Sequence, residues 1–123
     1  LPPHVVAAGI KAFDMLVEAD HLREQLSENT AYFRERMTAA GFDIRPGVHP
    51  IAPVMLYDAP LAQKFAERLL EEGIYAIGFF FPVVPQGQAR IRTQMSAAHT
   101  REHLDRAIDA FTRIGRELGV VAA

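Results

Sequence analysis

The order of helix and strand signals predicts an α/β domain of the α+β kind: a three-stranded antiparallel sheet of order 1-3-2, helices on one face, and a long N-terminal helical segment. Three observations carry this expectation. Apolar residues recur at helical spacing over several long stretches, short apolar runs bounded by Gly and Pro fall between them, and one run alternates strictly between polar and apolar residues.

The elements follow in chain order. Pro2 and Pro3 suit the first turn of a helix, where no backbone N–H is needed, and Val6, Ile10, Phe13 and Leu16 recur behind them at helical spacing. Asp20 supplies a second start signal. Leu22, Leu26, Phe33 and Met37 continue the stripe to Gly41, a helix stop, so residues 1–41 read as two consecutive helices or one bent one. Phe42-Asp43-Ile44 reads as a short strand ahead of a Pro46-Gly47 turn, and Ile51 to Tyr57 as a buried strand. Asp58 is positioned to cap the next helix, with Pro60 near its first turn, Leu61, Phe65 and Leu69 as its buried stripe, and Gly73 as its stop.

A strand from Ile74 to about Gly78 is expected next, after which Pro82 and Pro85 force an extended segment outside any ladder. The strand Ala89 to Met95 returns antiparallel. Thr100 caps a final helix carrying Leu104, Ile108, Phe111 and Leu118, which is expected to fray near Gly119. A right-handed crossover between the first two main strands leaves room for the third between them, hence the order 1-3-2. The chain is then a single domain over residues 1–123, with 1–41 as a helical lead-in and 42–123 as the α/β unit.

Composition narrows the function. A chain of 123 residues, half of them hydrophobic, can bury one real core. A net charge of −2 gives no electrostatic footprint for nucleic acid or an anionic membrane. The longest apolar run, around Phe79 to Val84, is far shorter than the roughly 20 residues a membrane helix needs. No basic-then-apolar leader is present, and the absence of cysteine removes disulfides and thiolate metal sites. A cytoplasmic location is the default. The start at Leu1, directly in a Pro-Pro helix entry, reads as that of an excised domain.

The alternating run holds the most specific signal. Residues two apart on a strand share a face, so Arg90, Arg92, Gln94 and Ser96 point one way while Ile91, Thr93 and Met95 point the other. Two accounts fit that pattern. Either these polar residues are the solvated face of an antiparallel sheet, or a guanidinium is held on a strand as a pre-oriented fork for a carboxylate or phosphate.

The sequence from Gly73 to Thr100 resembles the glycine acetyltransferase branch of the pyridoxal-phosphate-dependent α-oxoamine synthases, within the class I/II aminotransferases. The resemblance rests on Pro82-Val83-Val84-Pro85, then Gly87, Ala89-Arg90-Ile91-Arg92 and the helix entry Ser96-Ala97-Ala98-His99-Thr100, while Phe79-Phe80-Phe81 and Thr93-Gln94-Met95 narrow it to the branch. It extends over essentially the whole chain. The resemblance implies the small C-terminal domain of a fold-type-I transferase, with residues 1–41 joining it to a large domain and the arginine-bearing face turned toward that domain and the cofactor. It implies pyridoxal phosphate as cofactor, glycine and acetyl-CoA as substrates, 2-amino-3-ketobutyrate and CoA as products, threonine degradation as the setting, and a homodimer as the working assembly.

By the same resemblance, Arg92 matches the arginine that binds the amino-acid α-carboxylate, and Val83 and Pro85 are candidate walls of the substrate entrance. Arg90 is expected to be structural or interdomain. The cofactor lysine is missing: the two lysines, Lys11 and Lys64, fall in helical runs outside any cofactor motif, and no Gly-rich phosphate loop is present. The chain alone is therefore not expected to be catalytic. Phe79-Phe80-Phe81 and the first helix are expected to be partly exposed once separated from their partner.

His99 and His103 have a metal-like spacing, but the glutamate between them is misplaced for a zinc helix and no third ligand is near, so helix-entry hydrogen bonding is the preferred account. His4, His21 and His49 have no partner in the sequence, and the helix acids, among them Glu18, Glu67, Glu71 and Glu72, read as solvated faces. Two other readings stay open. One is another α-oxoamine synthase, of the 8-amino-7-oxononanoate synthase type. The other is a stand-alone small-molecule-binding or interaction module, since βαββα layouts serve that use too.

Overall fold

The computed structural model describes residues 20–122, and in it a four-stranded antiparallel sheet of order β1-β2-β4-β3 lies against three helices. The elements are α1 (Asp20–Ala39), β1 (Asp43–Ile44), β2 (Ile51–Tyr57), α2 (Ala59–Glu71), β3 (Ile77–Phe79), β4 (Ala89–Gln94) and α3 (Arg101–Glu117). Because β2 and β3 both run antiparallel to β4, they are parallel to each other, and α2 is the crossover that joins them. The three main strands thus have the expected order. The sheet has four strands rather than three because Asp43 and Ile44 pair with Met55 and Val54 and extend its edge.

Local chemistry accounts for the helix ends. Asp58 accepts a hydrogen bond from the Leu61 N–H at 3.1 Å and so caps α2, with a proline in the first turn where its missing donor is not needed. Thr100 caps α3 through a reciprocal pair with His103. At the other end of α1, Phe42 N–H reaches back to the Met37 carbonyl at 3.1 Å and Gly41 N–H to Thr38 at 3.0 Å; α2 ends identically, through Ile74 to Leu69 and Gly73 to Leu70. Gly41 and Gly73 supply the positive φ, 105° and 81°, that this closure demands. In each case the next residue is apolar and turns into the core.

The core is a cluster of phenylalanines between helices and sheet. Phe33 of α1, Phe42, Phe65 of α2 and Phe111 of α3 are all buried and meet with ring centroids 5.5–6.3 Å apart, three of the four pairs edge-on. The sheet adds Ala52, Val54, Leu56, Ala89 and Ile91 from its inner face. Outside the core, Arg113 holds Glu72 with two hydrogen bonds of 2.6 and 2.9 Å, and Arg68 bridges Glu71 and Glu117, tying α2 to α3.

Several expectations need correction. The first helical run, with Val6, Ile10, Phe13 and Leu16, lies outside the described residues, as do Lys11, His4 and Glu18. Leu22 is exposed, and the buried face of α1 instead carries Asn29 and Thr30 between the half-buried Leu26 and Phe33. Strand β3 begins at Ile77 rather than Ile74, because Ile74 is spent on closing α2. Residues 80–88 do not run extended. Val83 N–H bonds to the Phe80 carbonyl at 3.0 Å and Gln88 N–H to Pro85 at 3.1 Å, so the prolines sit inside two successive turns. Helix α3 does not fray either: Val120 N–H bonds back to the Gly115 carbonyl at 2.7 Å and Val121 is buried behind it.

Tyr57 is the one non-glycine residue with positive φ among the described residues, at 70°, and the Asp58 N–H bonds across it to the Leu56 carbonyl at 2.8 Å. That is the rarer, strained form of the three-residue γ-turn. Its hydroxyl is held by Asp43, which raises the phenol pKa above its ordinary value. Tyr57→Gly should melt at or above the parent temperature, because glycine accepts this φ without strain, whereas Tyr57→Val should melt lower by roughly 5 °C. A thermal melt followed by circular dichroism compares the three.

Arg113 holds the Glu72 carboxyl below its ordinary pKa of 4.5. A depressed carboxylate pKa contributes stability above the unfolded value, and that contribution disappears as pH falls through the folded one. The stability gap between the parent and Glu72→Gln should therefore be flat near neutral pH and close progressively below about pH 4.5. Urea unfolding as a function of pH measures it.

Candidate functional site

Strand β4 builds the site by its alternation. Ala89, Ile91, Thr93 and Met95 are buried on the helix side, while Arg92 and Gln94 are exposed and Arg90 half-exposed on the other. Ser96 follows the end of the strand and turns away, its hydroxyl accepting from the Ala98 N–H at 3.1 Å. Directly paired residues of antiparallel strands share a face. Arg90 is paired with Met55 and Phe79, Arg92 with Pro53 and Ile77, and Gln94 with Ile51. The open face is thus two arginines and a glutamine set among apolar side chains, rather than the wholly polar surface that a solvated sheet presents.

The two arginines differ in what they already bind. Arg90 turns back to its own strand, donating from Nε to the Gln88 carbonyl at 3.2 Å and from a terminal nitrogen to the Gln88 side chain at 3.4 Å. Arg92 has neither a hydrogen bond nor an ion pair among the described residues, and its guanidinium carbon lies 5.8 Å from the centroid of the Phe79 ring. Its fork of N–H groups is free. Pro53 and Ile77, its flanking partners, offer no acceptor side chain.

Beside Arg92 lies an open groove of about 620 Å³, where residues 73–77 diverge from the end of β4. Its lining includes Arg92, Arg106, His99 and His103 together with the buried Met95 and Leu104, and no carboxylate of the described residues lines it. Such a lining suits an anion. The histidines are helix-entry acceptors, as the sequence suggested: His99 Nδ1 takes the Ser96 N–H at 3.0 Å and His103 Nδ1 the Thr100 N–H at 3.2 Å, so the ring proton of each neutral form sits on Nε2. His49 has a partner after all, accepting from the Ile51 N–H at 3.0 Å. Among the described residues, no group of three or more His, Cys, Asp or Glu gathers to hold a metal, and no helix is long and apolar enough to cross a membrane.

The loop after β3 stands at the opposite end of the sheet. Val83 is 71% exposed and Pro85 is exposed, with Phe80 and Phe81 also open to solvent, so the candidate entrance walls project from the domain and do not pack into it. Lys64 is exposed on α2.

Asn29 was missed from sequence. It is 1% exposed, and its amide nitrogen donates to the carbonyls of Ser96 and His99, both at 2.9 Å, pinning the turn between β4 and α3 to α1. The signal was there: Asn29 lies at helical spacing within the stripe of Leu26, Phe33 and Met37. A polar residue at a core-facing position must find buried partners.

Comparison with known proteins adds the family. The profile described as aminotransferase class I and II matches residues 1–111. The 2-amino-3-ketobutyrate coenzyme A ligase of Salmonella typhimurium is 60% identical over 122 residues, covering 99% of this chain and 31% of that protein. The 8-amino-7-oxononanoate synthase of Symbiobacterium thermophilum is 48% identical over 120 residues, 98% of this chain and 31% of its own length. Among solved structures, serine palmitoyltransferase from S. paucimobilis with bound PLP-myriocin aldimine superposes with a TM-score of 0.86 at 30% identity, over 98% of this chain and 31% of that one. The chain spans about 31% of the length of these relatives.

Asn29→Ala should destabilise the domain by about 2 kcal/mol, since it removes two hydrogen bonds made by a buried amide and leaves the Ser96 and His99 carbonyls without that donor. Asn29→Asp should be no better, because a carboxylate cannot donate to either carbonyl. Urea unfolding checks both.

Proposed function

The chain belongs to the aminotransferase class I and II family, and from that premise we propose that it supplies the amino-acid carboxylate anchor of a pyridoxal-phosphate-dependent α-oxoamine synthase. The reaction is the condensation of glycine with acetyl-CoA to 2-amino-3-ketobutyrate and CoA, carried out in the cytoplasm by a homodimer of the longer polypeptide. One observation supports this most: Arg92 stands on a fixed strand, on an apolar face, with no N–H of its guanidinium spent on another of the described residues.

The cofactor, when bound, is the electron sink that makes a glycine Cα proton removable. On this reading the described residues leave its attachment to the rest of the polypeptide, which is supported by an exposed Lys64 on a helix and by the lack, among them, of a phosphate-cradling loop ahead of a helix. Its lysine and phosphate contacts fall to the remaining two thirds of the polypeptide. What the residues of this chain do is positional. A planar fork grips a carboxylate through two parallel bonds, which would fix the rotation of the glycine about its Cα and so select which C–H bond is presented for proton removal. In the net reaction the glycine Cα replaces the CoA sulfur on the acetyl carbon.

The apolar frame around Arg92 belongs to this role. Ile51, Pro53, Ile77 and Phe79 give a second domain a surface to cover, and a carboxylate bound to a desolvated guanidinium is held more firmly than one in water. Val83 and Pro85, projecting from the loop, then border the entrance for the substrates. Identity to an 8-amino-7-oxononanoate synthase supports a second reading with the same anchor and a different substrate pair. A stand-alone binding module finds no support, because the relatives named above are about three times longer.

In the intact enzyme, Arg92→Ala should lower turnover per glycine concentration about tenfold to a hundredfold, the worth of a charged hydrogen-bonded contact. Arg92→Lys should restore part of it, since an ammonium cannot reproduce the two-bond fork. Cofactor content should stay near normal. Steady-state kinetics with glycine and acetyl-CoA, beside the cofactor absorbance, give both readings, and a larger defect from Arg90→Ala than from Arg92→Ala would reassign the anchor.

A further inference from the structure

We propose that Phe79 is a positioning residue that holds the Arg92 guanidinium through a cation–π contact, which uses no hydrogen-bond acceptor and so leaves its N–H groups for a carboxylate; this rests on the anchor reading given above. A guanidinium has two chemically distinct surfaces. Its N–H groups radiate in the plane, and the faces above and below are weakly hydrated and stack on aromatic rings. A hydrogen-bonding neighbour would have consumed part of the edge, as Gln88 does for Arg90. The ring of Phe79 consumes none of it.

The register makes this contact. Phe79 pairs directly with Arg90, so it reaches Arg92 on the diagonal of the antiparallel ladder, a distance that an aromatic and a long side chain together can span. Its centroid lies 5.8 Å from the guanidinium carbon, within the range of a cation–π contact. Arg90 does not compete for the ring, being folded back on Gln88, and Ile77 and Pro53 occupy the positions directly beside Arg92 without offering it an acceptor. Phe79 is half-buried and sits within the β3 ladder, so the ring is a fixed reference for a side chain that otherwise has several free torsions.

The test uses the intact enzyme. Phe79→Leu keeps apolar bulk and loses the ring quadrupole, so KM for glycine should rise about two- to fivefold, the range of an exposed cation–π contact, with kcat nearly unchanged. Phe79→Tyr should behave like the parent. Shape is held more closely by replacing Phe79 with phenylalanines of increasing ring fluorination, which drains the negative ring face with little change in size: KM for glycine should climb stepwise along that series. In an Arg92→Ala background, Phe79→Leu should add nothing. The proposal is overturned if glycine KM is flat across the fluorinated series while Arg92→Ala raises it, or if the Phe79→Leu effect persists undiminished without Arg92. Should Arg92→Ala itself leave glycine KM unchanged, the anchor reading fails first and this inference with it.

Discussion

Ile91, Thr93 and Met95 sink into the helical layer while Arg90, Arg92 and Gln94 stand on the opposite face, and the rest of the structure is arranged around keeping that register. A slip of one residue would drive two guanidinium groups into a core of phenylalanines and lift Ile91 into solvent. The register is fixed by more than the pattern. The Thr93 hydroxyl donates to the Ala52 carbonyl at 2.6 Å, and the Met95 N–H bonds to Pro50 at 2.9 Å, both on the β2 side of the strand. Burial of Ile91 and presentation of Arg92 are therefore one event: the hydrophobic effect that fills the core also aims the cation.

The end of β4 needs a second constraint, because a strand leaving a sheet is free to drift. Asn29 provides it from α1, across 67 to 70 residues of sequence, by holding the carbonyls on either side of the turn into α3. A second tie between the same two helices lies on the surface. Arg101 stacks on Tyr32 with its guanidinium carbon 3.5 Å from the ring centroid, and the Tyr32 hydroxyl meets Asp105. Arg34 performs the analogous task at the other edge, donating to the carbonyls of Arg45, His49 and Ile51 and so fixing the loop that delivers β2 to its place beside β4. The end of β4 and the loop that leads into its neighbour β2 are thus both tied back to α1.

How much of this could be read from the residues depended on whether the deciding interaction was local. The caps at Asp58 and Thr100 and the stops at Gly41 and Gly73 lie within a few residues of what they satisfy, and they stand where their sequence signals put them. The alternation of β4 was equally legible, being a period of two in the chain itself. What was not legible came from distant partners. Leu22 and Asn29 exchange the roles their polarity suggests, because the face of α1 that meets the β4–α3 turn requires a donor there. The apolar company of Arg92 was hidden in the same way, since Pro53 and Ile77 join it only when two other strands take their register. The prolines of residues 80–88 misled for a different reason: Pro forbids ladder bonds but is as much at home in a tight turn as in an extended segment.

Arginine is used in two opposite ways in this domain, and the contrast bears on how the proposed site would work. Arg34, Arg68 and Arg113 each spend their guanidinium on several acceptors and act as struts. Arg92 spends none of it on the described residues. While the open face is wet, water satisfies those N–H groups at little cost. A domain laid over Ile51, Pro53, Ile77 and Phe79 would strip that water from a cation with no acceptor beside it among the described residues, and covering the face without a ligand would leave an unpaired charge in an apolar setting. A substrate carboxylate removes that penalty. On the anchor reading, carboxylate binding and closure of the apolar face are therefore thermodynamically linked, each favouring the other by the same free energy.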